Sequence, residues 1–227
     1  MRMAEDARIL VEERLAAALL LSFTGGFTDV YSYLFRGQVF ANAVTGNMVL
    51  MGLHLASGLW ADCLKYLLAI VAYGCGVFAA DAVRARLGGM RLVSWHQAIL
   101  GLEIVLLTAA AFVPQGRADS FVNATISFVC ALQVQTFRRV RGLPFASTMC
   151  TGNLRSGMDA LYQGLTGTDA AGFGKARHYF GVIGAFILGA GGGAFLLRQW
   201  GPDVFLLAPL VLAVVFALFV AARFTRR

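Results

Sequence analysis

Long apolar stretches separated by short polar joins dominate the chain, at 15–35, 64–83, 92–113, 121–137, 179–197 and 204–222. Each is close to the ~20 residues that an α-helix needs to cross a hydrocarbon core about 30 Å thick. The pattern therefore predicts six transmembrane helices. Two further stretches, 39–59 and 144–165, are long enough to cross but open on small and polar residues: VFANAVTGNMVLMG in the first, PFASTMCTGNLRSG in the second. They read either as two more spans or as hairpins that enter and leave by one face.

Charge discriminates between these readings, because cytoplasmic joins collect Lys and Arg. With two hairpins and a cytoplasmic N-terminus, the inner side receives Arg2, Arg8, Arg14, Arg84, Arg86, Arg91, Arg138, Arg139, Arg141, Lys175, Arg177, Arg223, Arg226 and Arg227. The outer side keeps Arg36, Lys65, Arg117 and Arg198, with Arg155 inside the second hairpin. If all eight stretches crossed, both arginine triplets would move outside and the asymmetry would nearly vanish. Six spans plus two hairpins, with both termini cytoplasmic, is the better reading.

A repeat underlies the pattern. GFTDVYSYLFRG (26–37) aligns with ALQVQTFRRVRG (131–142) and leads into the two Phe-Ala stretches, with one extra residue before the second Thr-Gly-Asn. Downstream, Lys65 and Tyr66 fall on His178 and Tyr179, and Ala72, Gly76 and Ala80 fall on Ala185, Gly189 and Gly193. Spacing of four puts each small-residue trio on one helix face, where backbones can approach closely, within the chain or in a homodimer. Three spans per copy make the second copy enter from the opposite face. The expected architecture is an all-α polytopic membrane protein built as an inverted repeat, each copy holding three transmembrane helices and one re-entrant or broken half-helix. The segments are then a cytoplasmic N-terminus at 1–14, a first membrane repeat at 15–113, an inverted second repeat at 114–222 and a basic tail at 223–227.

Composition agrees and narrows the chemistry. The 227 residues are 59% hydrophobic and 14% charged, with a mean hydropathy of +0.71, which excludes a soluble globule and leaves no room for a soluble catalytic domain. The net charge of +7 sits at the ends of apolar runs and not in an aromatic-laced basic patch, so it argues for topology and against nucleic acid. The first apolar run is too long, and too polar near its end, for a signal-peptide core, and reads as a permanent span. Cys63, Cys75, Cys130 and Cys150 lie far apart and suggest packing, with no metal or disulfide framework. No nucleophile motif, phosphate loop or dinucleotide fingerprint is visible, so neither an enzyme nor a cofactor is expected.

The Gly-Phe-Thr-Asp at Gly26 to Asp29, the VFANAVTGN block and the later TGNLRSG resemble the YoaK-like family of bacterial inner-membrane proteins, a domain-of-unknown-function family. The similarity covers nearly the whole chain. Where the family's later repeat reads Gly-x-Gln-Asn-Ala, this chain has Ala131, Leu132, Gln133, Val134 and Gln135. The resemblance implies an inner-membrane location and no substrate.

Irregular backbone at membrane depth persists only where it is buried in protein or faces a wet cavity, and a helix starting there offers free N–H groups. Thr45 and Thr151 are expected to cap two such helices, running to Leu59 and Leu165 and about 22 Å long at 1.5 Å per residue. Their positive ends, with Gly46, Asn47, Gly152 and Asn153 beside them and Asn42 and Gln133 nearby, would form a central site for an anion or a carbonyl oxygen. The bland alternative is that the glycines allow close packing and the asparagines bind helices together.

Asp29 lies within the first span and Glu103 is central in the third. Acids at membrane depth are candidate binding or proton-coupling groups. Arg155 and Asp159, four residues apart, are expected to pair on one helix face. Together these features favour a transporter of a small polar or anionic solute, with proton coupling through Asp29 or Glu103. A passive channel, a membrane enzyme and a partner-binding scaffold remain as alternatives. The expected partners are a small-molecule solute and the lipid bilayer.

Overall fold

The computed structural model describes residues 14–88 and 94–224. Arg2, Arg8, Arg91, Arg226 and Arg227 of the charge partition lie outside the described residues, with nearly all of 1–14 and the end of the basic tail. Among the described residues the chain forms eight α-helices: α1 Leu15–Phe35, α2 Val44–Ala56, α3 Trp60–Leu87, α4 Trp95–Ala111, α5 Asp119–Thr136, α6 Cys150–Leu165, α7 Gly172–Trp200 and α8 Leu207–Phe224. A short 3-10 turn, Pro202–Leu206, leads into α8. Two-residue strands β1 Arg139–Val140 and β2 Leu143–Pro144 make a small antiparallel hairpin after α5. Arg141 and Gly142 form its turn with φ of 50° and 79°, as a tight hairpin with two left-handed residues requires.

All six expected spans are helical. Four segments, Leu15–Phe35, Trp60–Leu87, Gly172–Trp200 and Pro202–Ala222, are long and apolar enough to cross a membrane. The chain is a multi-pass, all-α membrane protein. The two ambiguous stretches instead give short helices, α2 of 13 residues and α6 of 16. At 1.5 Å per residue these reach roughly 20 and 24 Å. Each turns directly back along the helix that follows it, α2 on α3 and α6 on α7.

The long helices exchange partners: α1 packs on α7 and α3 packs on α5, while α4 and α8 pack on each other. Glycine permits this closeness at two equivalent places. A Cβ at Gly189 would collide with the Phe23 carbonyl of α1, and one at Gly76 with the Phe128 carbonyl of α5. Gly76, Ala80, Gly189 and Gly193 of the two small-residue faces are thus buried within the chain, while Ala72 and Ala185 are half-buried.

The least apolar of the four long segments, α1, is the most buried, at 67% against 22% for α7. In lipid, apolar side chains gain nothing by hiding, and polar ones must. Ser22, Thr24, Thr28, Asp29 and Ser32 accordingly put the polar stripe of α1 inside. Thr24, Thr28 and Ser32 donate to carbonyls three or four residues earlier in the same helix.

Candidate functional site

The segments leading into α2 and α6, 39–43 and 145–149, follow the same course of irregular backbone before the helix begins. The expected threonine caps are absent. Ala43 and Met149 occupy the cap positions, neither short helix has a side-chain cap, and Thr45 and Thr151 lie inside the first turn with exposed side chains. The asparagines do the organising. Asn47 Nδ2 donates to the Phe40 carbonyl at 2.7 Å, and Asn153 Nδ2 donates to the Ala146 carbonyl at the same 2.7 Å, both seven residues back. Asn153 Oδ1 also accepts from the Ala146 N–H at 3.2 Å. Each Thr-Gly-Asn therefore ties its own lead-in segment to the first helical turn.

Further bonds fasten these segments to the long helices. Ser127 Oγ of α5 donates to the Ala41 carbonyl at 2.6 Å, and Ser32 Oγ of α1 accepts the Ala41 N–H at 3.2 Å. In the other arm Gln133 Nε2 donates to Ser147 Oγ at 2.6 Å and to the Leu21 carbonyl at 3.2 Å.

Between the two helix starts lies a cavity of about 690 Å³. One arm contributes Asp29, Phe40, Asn42 and the α2 start from Ala43 to Gly46, and the other contributes Thr148 and the α6 start from Met149 to Gly152. Tyr73 of α3 and Phe186 of α7 complete the wall. Six expected site residues therefore converge: Asp29, Asn42, Thr45, Gly46, Thr151 and Gly152 line the cavity, and Asn42 and Thr148 also bound a smaller void behind it. Gln133 touches only that inner void, of about 10 Å³.

Several expected residues stand elsewhere. Asn47 and Asn153 are 0% and 3% exposed and sit behind the cavity wall, not on it. Among the described residues no ion pair joins Arg155 to Asp159. Both are exposed, and Asp159 accepts from Gln163 Nε2 at 2.9 Å. One helical turn separates them on a surface where solvation competes with pairing. Glu103 is fully buried away from the cavity with neither carboxyl oxygen partnered.

Asp29 is 8% exposed, and its Oδ1 accepts the Asn42 N–H at 2.8 Å. Asn42 Nδ2 donates to the Gly25 carbonyl at 2.8 Å and to Thr28 Oγ1 at 3.0 Å, which leaves its own buried Oδ1 without a partner. Among the described residues Asp29 is the one charged side chain on the cavity wall.

Tyr73, Thr148 and Phe186 were not anticipated, although the alignment carried their signal. The offset pairing Lys65 and Tyr66 with His178 and Tyr179 also pairs Tyr73 with Phe186, and counting back from Thr-Gly-Asn pairs Asn42 with Thr148. Arg36, assigned only a topological charge from sequence, is 2% exposed. Its guanidinium donates to Tyr31 Oη at 2.8 Å, the Pro114 carbonyl at 3.1 Å, the Val113 carbonyl at 2.6 Å and Asp119 at 2.9 Å. It locks the end of α1 to the connection between α4 and α5. Outside the spans, the Lys175 ammonium and the Ala171 N–H hold the Asp169 carboxyl below the usual carboxylate range just before α7.

Residues 17–218 match the family described as "Protein of unknown function (DUF1275)". A relative in Bacillus subtilis (strain 168), the UPF0700 transmembrane protein YoaK, is 31% identical over 143 residues. That similarity spans 60% of this chain and 62% of the relative, so it covers less than two thirds of the relative's length. No solved structure matches the chain.

Proposed function

The chain belongs to the DUF1275 family of proteins of unknown function, and from its central cavity we infer that it is a membrane transporter of a small polar or anionic solute. The observation carrying this reading is that two short helices begin at one cavity, each after an irregular segment fastened by the same asparagine contact. Paired half-helices aimed at a common cavity suit an inverted repeat whose halves open the site alternately to the two faces. The exchanged packing of α1 on α7 and α3 on α5, with glycine closing on the same kind of carbonyl in each, supports that reading.

In this reading 15–113 and 114–222 are the two repeats, the segments around α2 and α6 are re-entrant, and both termini are cytoplasmic in a bacterial inner membrane. Asp29, at the cavity, is the proton-coupling group in preference to Glu103, which has no place on its wall. No enzymatic step is assigned.

Flux is the direct test. Purified protein in proteoliposomes should support counterflow of a solute that it also binds in detergent, and turnover of that solute in detergent alone would replace transport with catalysis. Labelling tests the orientation: a cysteine at Arg86 or Arg139 should react only from the cytoplasmic side.

A further inference from the structure

The cavity has a pronounced internal polarity. The N–H groups of Thr45 and Gly46 at the start of α2, and of Cys150, Thr151 and Gly152 at the start of α6, have no carbonyl partner among the described residues, whereas Val44 donates to the Asn42 carbonyl, Asn47 to that of Ala43 and Asn153 to that of Met149. A Cβ built at Gly152 meets nothing within 4 Å, and one at Gly46 meets only Ala43 and Phe40 at 3.9 Å. Each helix start carries a partial positive charge of about half a unit. The same cavity is lined by Asp29, among the described residues the only charged side chain on its wall. One of its oxygens is held by the Asn42 N–H, and the other has no partner among the described residues. The position aligned with Asp29 in the other arm is Val134, so the negative pole belongs to one arm alone.

Two positive helix ends of about half a charge each roughly balance one carboxylate, which the Asn42 N–H holds on the α2 side of the cavity, with the α6 start on the wall of the other arm. A simple anion at the helix ends would face the like charge of Asp29, and a simple cation at Asp29 would face both helix ends. A solute bearing both signs a few ångströms apart meets each pole with its opposite. Phe40, Tyr73 and Phe186 then provide an aromatic wall for its uncharged part, and about 690 Å³ is ample for a molecule of amino-acid size.

Resting on the transport reading above, we propose that the solute is a small zwitterion of the amino-acid class. Its carboxylate is received by the amides at the starts of α2 and α6, and its ammonium by Asp29. The site selects the pair of charges and not either alone.

The test compares matched compounds: glycine with acetate and methylamine, and L-leucine with isocaproate and isopentylamine, alongside L-glutamine. Binding is read in the wild-type protein by thermal shift. It is read again by protection from alkylation of Cys150, a half-exposed thiol on the cavity wall, in a variant retaining only that cysteine. Should that variant fold poorly, the wild-type thermal shift decides. At least one amino acid should bind about tenfold or more tightly than its matched carboxylate and amine, and Asp29→Asn should bring amino acid and carboxylate to within about twofold. If acetate or isocaproate binds as well as its amino acid, the zwitterion inference is overturned and an anion site in a transporter remains. If no compound of the three classes binds, the inference fails. If, in addition, vesicles show no solute counterflow, the transport reading falls with it.

Discussion

Asn47 and Asn153 reach back seven residues to a carbonyl of their own arm with the same 2.7 Å contact, yet the positions around them diverge. In the first arm Asn42 and Asp29 bring an amide and a carboxyl to the cavity. In the second the aligned positions are Thr148, which contacts Cys130 Sγ at 3.2 Å, and the aliphatic Val134. The backbone course is common to both arms, and the chemistry is concentrated in one. Holding two irregular segments inside a membrane protein demands the same satisfied carbonyls and N–H groups on both sides. Recognition has no such symmetry requirement, because a solute need not be symmetric.

The largest expected effect tests whether the two arms share packing. Gly189→Leu and Gly76→Leu each drive a side chain into a backbone carbonyl, of Phe23 and Phe128 respectively, which cannot rotate away. Both should destabilise the protein by about 3 kcal/mol or more. Thermal unfolding in detergent should show comparable losses, and a loss at only one glycine would break the equivalence.

Next come the asparagines. Asn153→Ala removes two hydrogen bonds and Asn47→Ala one, so about 2 to 3 kcal/mol is expected for the first and about 1 to 2 kcal/mol for the second. Since neither lines the cavity, solute affinity measured on the remaining folded protein should change little. A large affinity loss at unchanged melting temperature would return them to the site.

Asp29→Asn sharpens the divergence. The amide oxygen can still accept the Asn42 N–H, so stability should move by no more than about 1 kcal/mol. Uptake into proteoliposomes should nevertheless fall about tenfold or more, equivalent to losing roughly 1.4 kcal/mol of discrimination. Unchanged uptake would make the carboxyl a structural acceptor only.

The smallest effect lies outside the spans. Because Lys175 and the Ala171 N–H depress the Asp169 carboxyl in the folded protein, its contribution is full above the ordinary carboxylate range and is lost as pH falls through the lower folded value. Asp169→Asn should lower the melting temperature slightly at neutral pH, and the gap from wild type should close on acidification. A gap independent of pH would assign the effect to packing. No matching feature is expected at the start of α3, where Lys65 and Asp62 stand farther apart at 3.4 Å.

The sequence was informative where one force acts along a contiguous run. Every long apolar stretch became a helix, because lipid and backbone satisfaction require the same thing at each residue. The two Thr-Gly-Asn blocks fall in the first turns of α2 and α6, beside the cavity, but their sequence does not show what holds those starts. A hydroxyl at Thr45 and an amide at Asn47 are both suitable for binding loose backbone, and only the course of 39–43 reveals that the side chain of Asn47 serves the carbonyl of Phe40 and leaves the first-turn N–H groups without a side-chain cap. Arg36 was illegible for a different reason. Three of its contacts lie 77, 78 and 83 residues away, so nothing adjacent distinguishes a buried arginine from one at a membrane surface.

The exchange of partners between α1 and α7, and between α3 and α5, also constrains how the protein is made. α1 enters the membrane early in synthesis, but the helix that covers its glycine-bearing face is among the last to leave the ribosome. Until then its polar stripe, Asp29 included, has no complete lining and must wait beside the translocation machinery or in provisional company. A polypeptide truncated in the connection between α4 and α5 would keep α2 on α3, yet it would lack the companions of both α1 and α3. Quality control should treat such a fragment as an orphan, and co-expression with the missing portion should rescue it.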